Sequence, residues 1–333
     1  MEKVRAGIIG TGNMGANHLR IYKRLPYICE LVGIFDADAG RCSLMQETYD
    51  VQCFDSYEEL LENVDAVSIV VPTAAHYEIA KKALQKGVHI LLEKPVTEHV
   101  EQGTELVETA EARGLVLQVG HIERFNPAVQ LLPEILKDKR IIALDFKRMS
   151  PFDPRVSDID VVQDLMIHDI DVLRCLLPER IIHIEAIGSM PRSGRRYDYA
   201  VACMELESGI IANFTASRVT EQKIRTLCIT ADEAYIDLDY NERKIIVVRS
   251  THAGYNTGIV PSYRQESIIE KVYVPNHEPL TREIESFLSC VMNHTKPEVD
   301  GAAGVEALKT VKRIQERMEY NRTARSKRAG LPA

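Results

Sequence analysis

The chain has 333 residues, 45% of them hydrophobic, with 41 basic and 49 acidic side chains and a formal net charge of −8. That length suits about two domains, and the apolar content fills an ordinary core and argues against disorder. A negative balance with both signs mixed throughout argues against a nucleic-acid-binding or membrane-surface protein, and no apolar stretch approaches the length of a membrane span.

In chain order, an apolar run over residues 4–9 leads into Gly10-Thr11-Gly12-Asn13-Met14-Gly15, and a second run over 31–35 closes on Asp36. Strand, GxGxxG turn, helix, strand and a following carboxylate make up the dinucleotide-binding (Rossmann) pattern. Gly10 allows the tight turn, Gly12 lets the backbone approach a pyrophosphate, and Gly15 lets helix and strand pack closely. The pyrophosphate then rests on free N–H groups at the positive end of a helix. Asp36 is placed to accept hydrogen bonds from the adenine-ribose hydroxyls and to repel a 2′-phosphate, which favours NAD over NADP. The plainer reading of Asp36 is a turn residue.

The alternation continues with strands expected at 66–70, 89–92 and 116–120 and helices at 57–61, 76–85 and 100–113, the last two stopped by Gly87 and Gly114. Strands alternating with helices imply a parallel sheet covered on both faces, with ligands outside the carboxyl ends of its strands. The glycine turn, Asp36, Pro72-Thr73 and Glu93-Lys94-Pro95 all fall at such ends. Lys94 could hydrogen-bond or protonate a substrate oxygen; standing alone, it could equally be an exposed loop lysine.

After Gly120 the pattern changes, and a domain boundary is expected there: 1–122, then 123–333. His121, Glu123, Arg124 and Asn126 follow directly, either lining a cleft or satisfying hinge backbone. Helices are expected at 126–136 and 163–177, and strands at 141–148, 181–189, 200–205, 209–217, 223–230, 234–239 and 244–249. Helices return at 280–294 and 302–320. Strands succeeding strands give a large, open, mostly antiparallel sheet, so the expected fold class is α/β followed by an α+β domain. The uncovered face of such a sheet suits a second copy of the chain.

On the helix at 163–177, Asp164 and His168 are four apart and share a face. A carboxylate beside an imidazole holds its tautomer and suits His168 to take a hydroxyl proton; a solvated surface pair is the plainer alternative. Arg148, Arg155, Arg192, Arg195 and Arg196 fall in loops or at strand ends, where guanidinium forks suit the phosphates of a nucleotide sugar. An exposed charged loop is the plainer reading of 192–196. The seven cysteines show no metal-ligand spacing and are odd in number. They read as reduced packing residues of a cytoplasmic protein, with no metal expected. The amino terminus runs straight into the first strand, so no signal peptide is expected.

Together GIIGTGNMG, VPTAAH at 71–76, EKP at 93–95, DLMIHDID at 164–171 and EPLTREIESFLSCV at 278–291 resemble the Gfo/Idh/MocA oxidoreductases, nicotinamide-dependent enzymes acting on sugars and inositols. The resemblance implies an N-terminal Rossmann domain, a C-terminal open-sheet domain and a dimer or tetramer packed through that sheet. It implies NAD held by Gly10, Thr11, Gly12, Asn13, Met14, Asp36, Val71, Thr73, His76, Glu93, Lys94 and His121. It implies catalysis by Lys94, Asp164 and His168, with substrate contacts from these three and from Arg124, Asn126, Arg148 and Arg155.

Within the family, GHIERFNPAV at 120–129 and VVQDLMIHDIDVLR at 161–174 look most like the branch acting on UDP-N-acetylglucosamine. That resemblance implies oxidation of the C3 hydroxyl to a 3-keto sugar, on the way to a 3-amino sugar of lipid A or surface polysaccharide. Two alternatives stand beside it: an inositol or free-sugar dehydrogenase, and a non-catalytic NAD-binding sensor on an enzyme-like fold.

Overall fold

The computed structural model describes residues 3–152, 159–192, 194–256 and 261–329. The chain divides into two compact units, one of residues 1–125 and 277–309, the other of residues 126–276 and 310–333.

Unit 1 opens as β1 (Val4–Ile9), α1 (Asn13–Tyr22), β2 (Cys29–Phe35), α2 (Ala39–Tyr49), α3 (Tyr57–Leu61), β3 (Ala66–Ile69), α4 (Thr73–Gln85), β4 (His89–Glu93), α5 (Val100–Ala112) and β5 (Leu117–Gly120). The strands form one sheet in the order β2-β1-β3-β4-β5, with every pairing parallel. Both faces are covered, which is why β3 and β5 are buried along their whole length. Crossovers on either side of β1 turn the sheet at that strand, so the carboxyl ends of β1 and β3 open onto a crevice where ligands bind.

Unit 2 comprises α6 (Pro127–Gln130), α7 (Leu132–Leu136), β6 (Ile141–Met149), α8 (Ile167–Leu176), β7 (Ile181–Ser189), β8 (Tyr199–Leu206), β9 (Ile211–Ser217), β10 (Ile224–Ala231), β11 (Ala234–Asp239), β12 (Lys244–Asn256) and β13 (Pro261–Val272). Its eight strands run in the order β13-β12-β11-β10-β6-β9-β8-β7. Only β6 with β9 is parallel, so the sheet is mostly antiparallel, as expected. β8 alternates strictly between exposed and buried positions, the signature of a sheet with one packed face. The long hairpin of β12 and β13 was not expected beyond 249. Its outer strand is rich in Ser, Arg, Gln and Glu, so it lacks the apolar alternation that marks a strand.

The chain then adds α9 (Pro279–Asn293) and α10 (Gly301–Ala329). α9 was expected in the second domain, yet it packs within unit 1 against α1, β1 and β4. The reason is its apolar stripe: Leu280, Ile284, Phe287, Leu288 and Val291 join Ile8, Leu19 and Leu91 in one core. The opposite face of the five-stranded sheet carries a second core around Leu60, Leu84, Leu106 and Leu308.

Two further expectations change. The helix foreseen at 163–177 starts as a π-helical turn, Val162–Met166, before α8. And the cysteines are not all reduced, because Cys42 and Cys53 form a disulfide, with Cys53 bridged to Ile34 beside β2. A separation of eleven residues resembles no framework motif, so only the fold could bring them together.

Candidate functional site

The glycine turn is built by contact. Gly10 has φ of +91°, and a Cβ there would sit 2.3 Å from the Val70 carbonyl oxygen. A Cβ at Gly15 would lie 2.0 Å from the Gly10 oxygen, so any side chain would push α1 off the turn. A Cβ at Gly12 would meet nothing within 4 Å. The backbone at that corner therefore faces open space at the amino end of α1, where an anionic diphosphate fits.

Asp36 ends β2 under this turn and is almost fully buried. Its Oδ2 accepts the Thr11 N–H at 2.6 Å and the Thr11 hydroxyl at 2.9 Å, and its Oδ1 accepts the Asp38 N–H at 2.9 Å. Arg41 Nη1 lies 3.2 Å from Oδ2. Burial pushes this carboxyl up, but the bonds from Asp38 and Thr11 and the charge of Arg41 outweigh it and hold it below the usual range. A fixed, ionised carboxylate thus follows β2 directly beside the glycine turn. Gly10, Gly12, Asp36, Arg41 and Val71 border one cleft of about 570 Å³. These residues fit a dinucleotide. Asn13 is exposed on the first turn of α1 with Met14 half-buried beside it, and Thr73 begins α4.

Two residues expected on the cofactor, His76 and Glu93, have their side chains engaged elsewhere. His76 is fully buried, with Nδ1 2.9 Å from the Pro95 carbonyl and Nε2 2.9 Å from the Val71 carbonyl. Burial lowers its tendency to protonate, against the pull of these carbonyls and of Glu93. It ties two loops together and presents no nitrogen to a ligand. Glu93 packs its carboxylate on His18 at 3.2 Å and accepts the Lys94 N–H at 3.2 Å. His121 is buried, and its backbone N–H donates to the Val119 carbonyl at 2.8 Å where the chain enters a 3₁₀ turn, Ile122–Phe125. Lys94 follows β4, half-buried, and joins Pro95 by a cis peptide.

In unit 2, Asp164 lies in the π-helical turn and His168 in the first turn of α8, both half-buried. Single π turns interrupt helices mostly where a side chain must be re-aimed, often at functional sites. Asp160 anchors this start, its Oδ1 accepting the N–H groups of Val162 and Gln163 at 3.0 Å.

Arg148 does not offer a fork to substrate. It is buried, donates to Asp169 through Nε at 3.1 Å and Nη2 at 2.7 Å, and stacks on the Tyr240 ring at 5.1 Å. A buried guanidinium paired this way fixes α8 to β6, and Asp169 is the residue that sequence reasoning missed. Asn126 is likewise spent on backbone: its Oδ1 accepts the Ala128 N–H at 3.1 Å as the cap of α6. Arg124 is buried beside it in sequence. Arg155 lies outside the described residues.

Known proteins share this sequence and fold. The family model described as "Oxidoreductase family, NAD-binding Rossmann fold" (GFO_IDH_MocA) matches residues 4–121, and that of the GFO/IDH/MocA C-terminal domain matches residues 148–237. The chain is 36% identical over 322 residues to UDP-N-acetylglucosamine 3-dehydrogenase of Acidithiobacillus ferrooxidans, covering 96% of this chain and 98% of that protein. It is 24% identical over 325 residues to the NAD-dependent scyllo-inositol 2-dehydrogenase of Bacillus subtilis, covering 92% of each. Among solved structures it matches the A. ferrooxidans enzyme GnnA with a TM-score of 0.86 and 33% identity, over 96% of this chain and 99% of that one. A levoglucosan dehydrogenase in complex with NADH and L-sorbose, at 18% identity and a TM-score of 0.80 over 96% and 98% of the chains, shares the fold.

Proposed function

The chain belongs to the Gfo/Idh/MocA family of NAD-binding oxidoreductases, and from that premise we propose that it oxidises the C3 hydroxyl of UDP-N-acetylglucosamine to the 3-keto sugar. The observation that carries the substrate is the 36% identity to the A. ferrooxidans 3-dehydrogenase over nearly the whole of both chains; the inositol dehydrogenases are more distant.

Bound NAD supplies the hydride acceptor. Gly12 and the amino end of α1 hold its diphosphate, and Asp36 holds the adenine ribose. His168 takes the hydroxyl proton as the C3 hydrogen leaves with its electron pair, and Asp164 keeps the imidazole oriented. The Lys94 ammonium stabilises the negative charge that grows on the C3 oxygen. Arg124 and Arg155 remain the further substrate contacts beside Lys94, Asp164 and His168. The 3-keto product is a substrate for transamination to a 3-amino sugar, which suits lipid A or surface polysaccharide synthesis. Among the described residues no helix is long and apolar enough to cross a membrane. The NAD and nucleotide-sugar requirements support a cytoplasmic site of action. The open face of the eight-stranded sheet exposes Ile187, Tyr199, Val201, Ile211 and Tyr235, which supports a homodimer or homotetramer formed through it.

The test is turnover followed at 340 nm with UDP-N-acetylglucosamine and myo-inositol side by side. Turnover of the nucleotide sugar is expected, and in His168→Ala it falls by about 10²–10⁴-fold while NAD still binds. Faster turnover of myo-inositol would refute the substrate, and wild-type turnover in His168→Ala would refute the base.

A further inference from the structure

We propose that His18, Glu93 and Glu283 form a buried triad that positions Lys94, acting on the reaction through that lysine; this rests on the role given to Lys94 above. The three come from α1, the end of β4 and α9, so only the folded unit assembles them. His18 and Glu283 are fully buried, and Glu93 keeps 12% of its side-chain exposure. One ligand-type atom of each lies within 4.8 Å of the others.

Burying three ionisable groups costs several kcal/mol per unpaired charge, and apolar residues of similar volume would serve a core as well or better. Two carboxylates this close cannot both stay ionised unless a cation or a shared proton lies between them. The imidazole of His18 lies 3.2 Å from Glu93 and in the same cluster as Glu283. Burial drives the Glu93 carboxyl up, but His18 and Lys94 overcome it and hold the group below its ordinary range.

The triad reaches Lys94 through backbone. Glu93 Oε2 accepts the Lys94 N–H at 3.2 Å, and His76 stands 2.9 Å from the carbonyl of Pro95 just beyond. The lysine is therefore held on both sides by buried groups. Gly120, paired with Glu93 in register, completes the slot: a Cβ there would lie 3.1 Å from the Glu93 carboxyl carbon. Groups facing the triad include Tyr22 from α1, whose hydroxyl feels the charge of Glu283, His76 from α4, which feels Glu93, and Lys94 itself. Gln118 of β5 donates to the Glu283 backbone carbonyl at 3.0 Å. Together these groups set the charge that Lys94 works against.

The experiment uses the full chain with NAD and UDP-N-acetylglucosamine. Glu283→Gln and His18→Gln are expected to lower kcat roughly 10–100-fold, the scale of a small misplacement of a reacting group. They should also shift the kcat–pH profile while leaving NADH affinity, read by fluorescence, within about threefold. Glu283→Asp should restore most of the loss. In a Lys94→Arg background, Glu283→Gln should add little, because both changes act at one group. Wild-type kcat and pH profile in both triad variants, with Lys94→Met inactive, would overturn the triad and leave Lys94 standing. Full turnover in Lys94→Met would instead remove the role of the lysine and the triad's purpose with it. Should Glu283→Gln fail to fold, Gly120→Ala displaces the Glu93 carboxyl with every triad member present and is read in the same way.

Discussion

Asp36 is the residue at which the proposed choice of cofactor is tested, and His76 and His89 are those at which the pH dependence of stability is tested. Asp36 is ionised and fixed by Thr11 and Asp38, and Arg41 lies 3.2 Å from it. In Asp36→Asn the negative charge goes while the guanidinium stays to meet a 2′-phosphate. The preference for NAD+ over NADP+, measured as the ratio of kcat/KM, should fall at least about tenfold, or about 1.4 kcal/mol. An unmoved ratio would mean that Asp36 does not face the ribose. His76 and His89 are both harder to protonate than an exposed histidine, chiefly through burial. Near pH 6.5 the unfolded chain therefore binds protons that the folded chain refuses, so stability rises with pH through that region and is lost below it. A melting temperature that drops between pH 7.0 and 5.5, with a smaller drop in His76→Gln, is the expected result. An identical drop in both proteins would clear His76.

Among the elements, α9 was expected in the second domain and lies, with the start of α10, in unit 1. Its period was legible, since apolar residues at 280, 284, 287, 288 and 291 mark one helical face. What that face would meet was not, because a helix stripe fits any apolar surface of the right width. Phe287 is fully enclosed between α1 and the sheet, so Phe287→Ala should destabilise the protein by about 3–5 kcal/mol in urea unfolding. A loss under about 1 kcal/mol would show that α9 is not part of that core. The Cys42–Cys53 bond closes a short loop next to β2. Its removal in Cys42→Ser/Cys53→Ser should cost about 2–3 kcal/mol under oxidising conditions and almost nothing with reductant present, as denaturation in the two conditions will show.

At the scale of the whole molecule, the eight-stranded sheet leaves an apolar face in solvent. Ile187 and Val201 stand opposite each other in register and are each more than two-fifths exposed. A lone chain gains nothing from that exposure, whereas a second copy packed there, as proposed above, would bury it. Val201→Lys places a charge in the proposed contact. Light scattering should then report a smaller assembly than wild type, with the melting temperature of the isolated chain little changed. An unchanged mass would move the interface elsewhere.

The local signals of the sequence determined the first sheet, the cofactor turn, the carboxylate after β2 and the positions along the chain of most strands of the second sheet, though not their order within it. These depend on spacing along the chain: three glycines that must bend and pack, and side chains that alternate every second residue or recur every fourth. Tertiary structure alone decided that Arg148 serves Asp169 and Tyr240, that His76 and Glu93 brace the lysine turn, that Cys42 meets Cys53, and that His18, Glu93 and Glu283 share one buried pocket. In each case the partners lie far apart along the chain or on different elements, and a polar residue by itself carries no mark of which distant group will balance its burial.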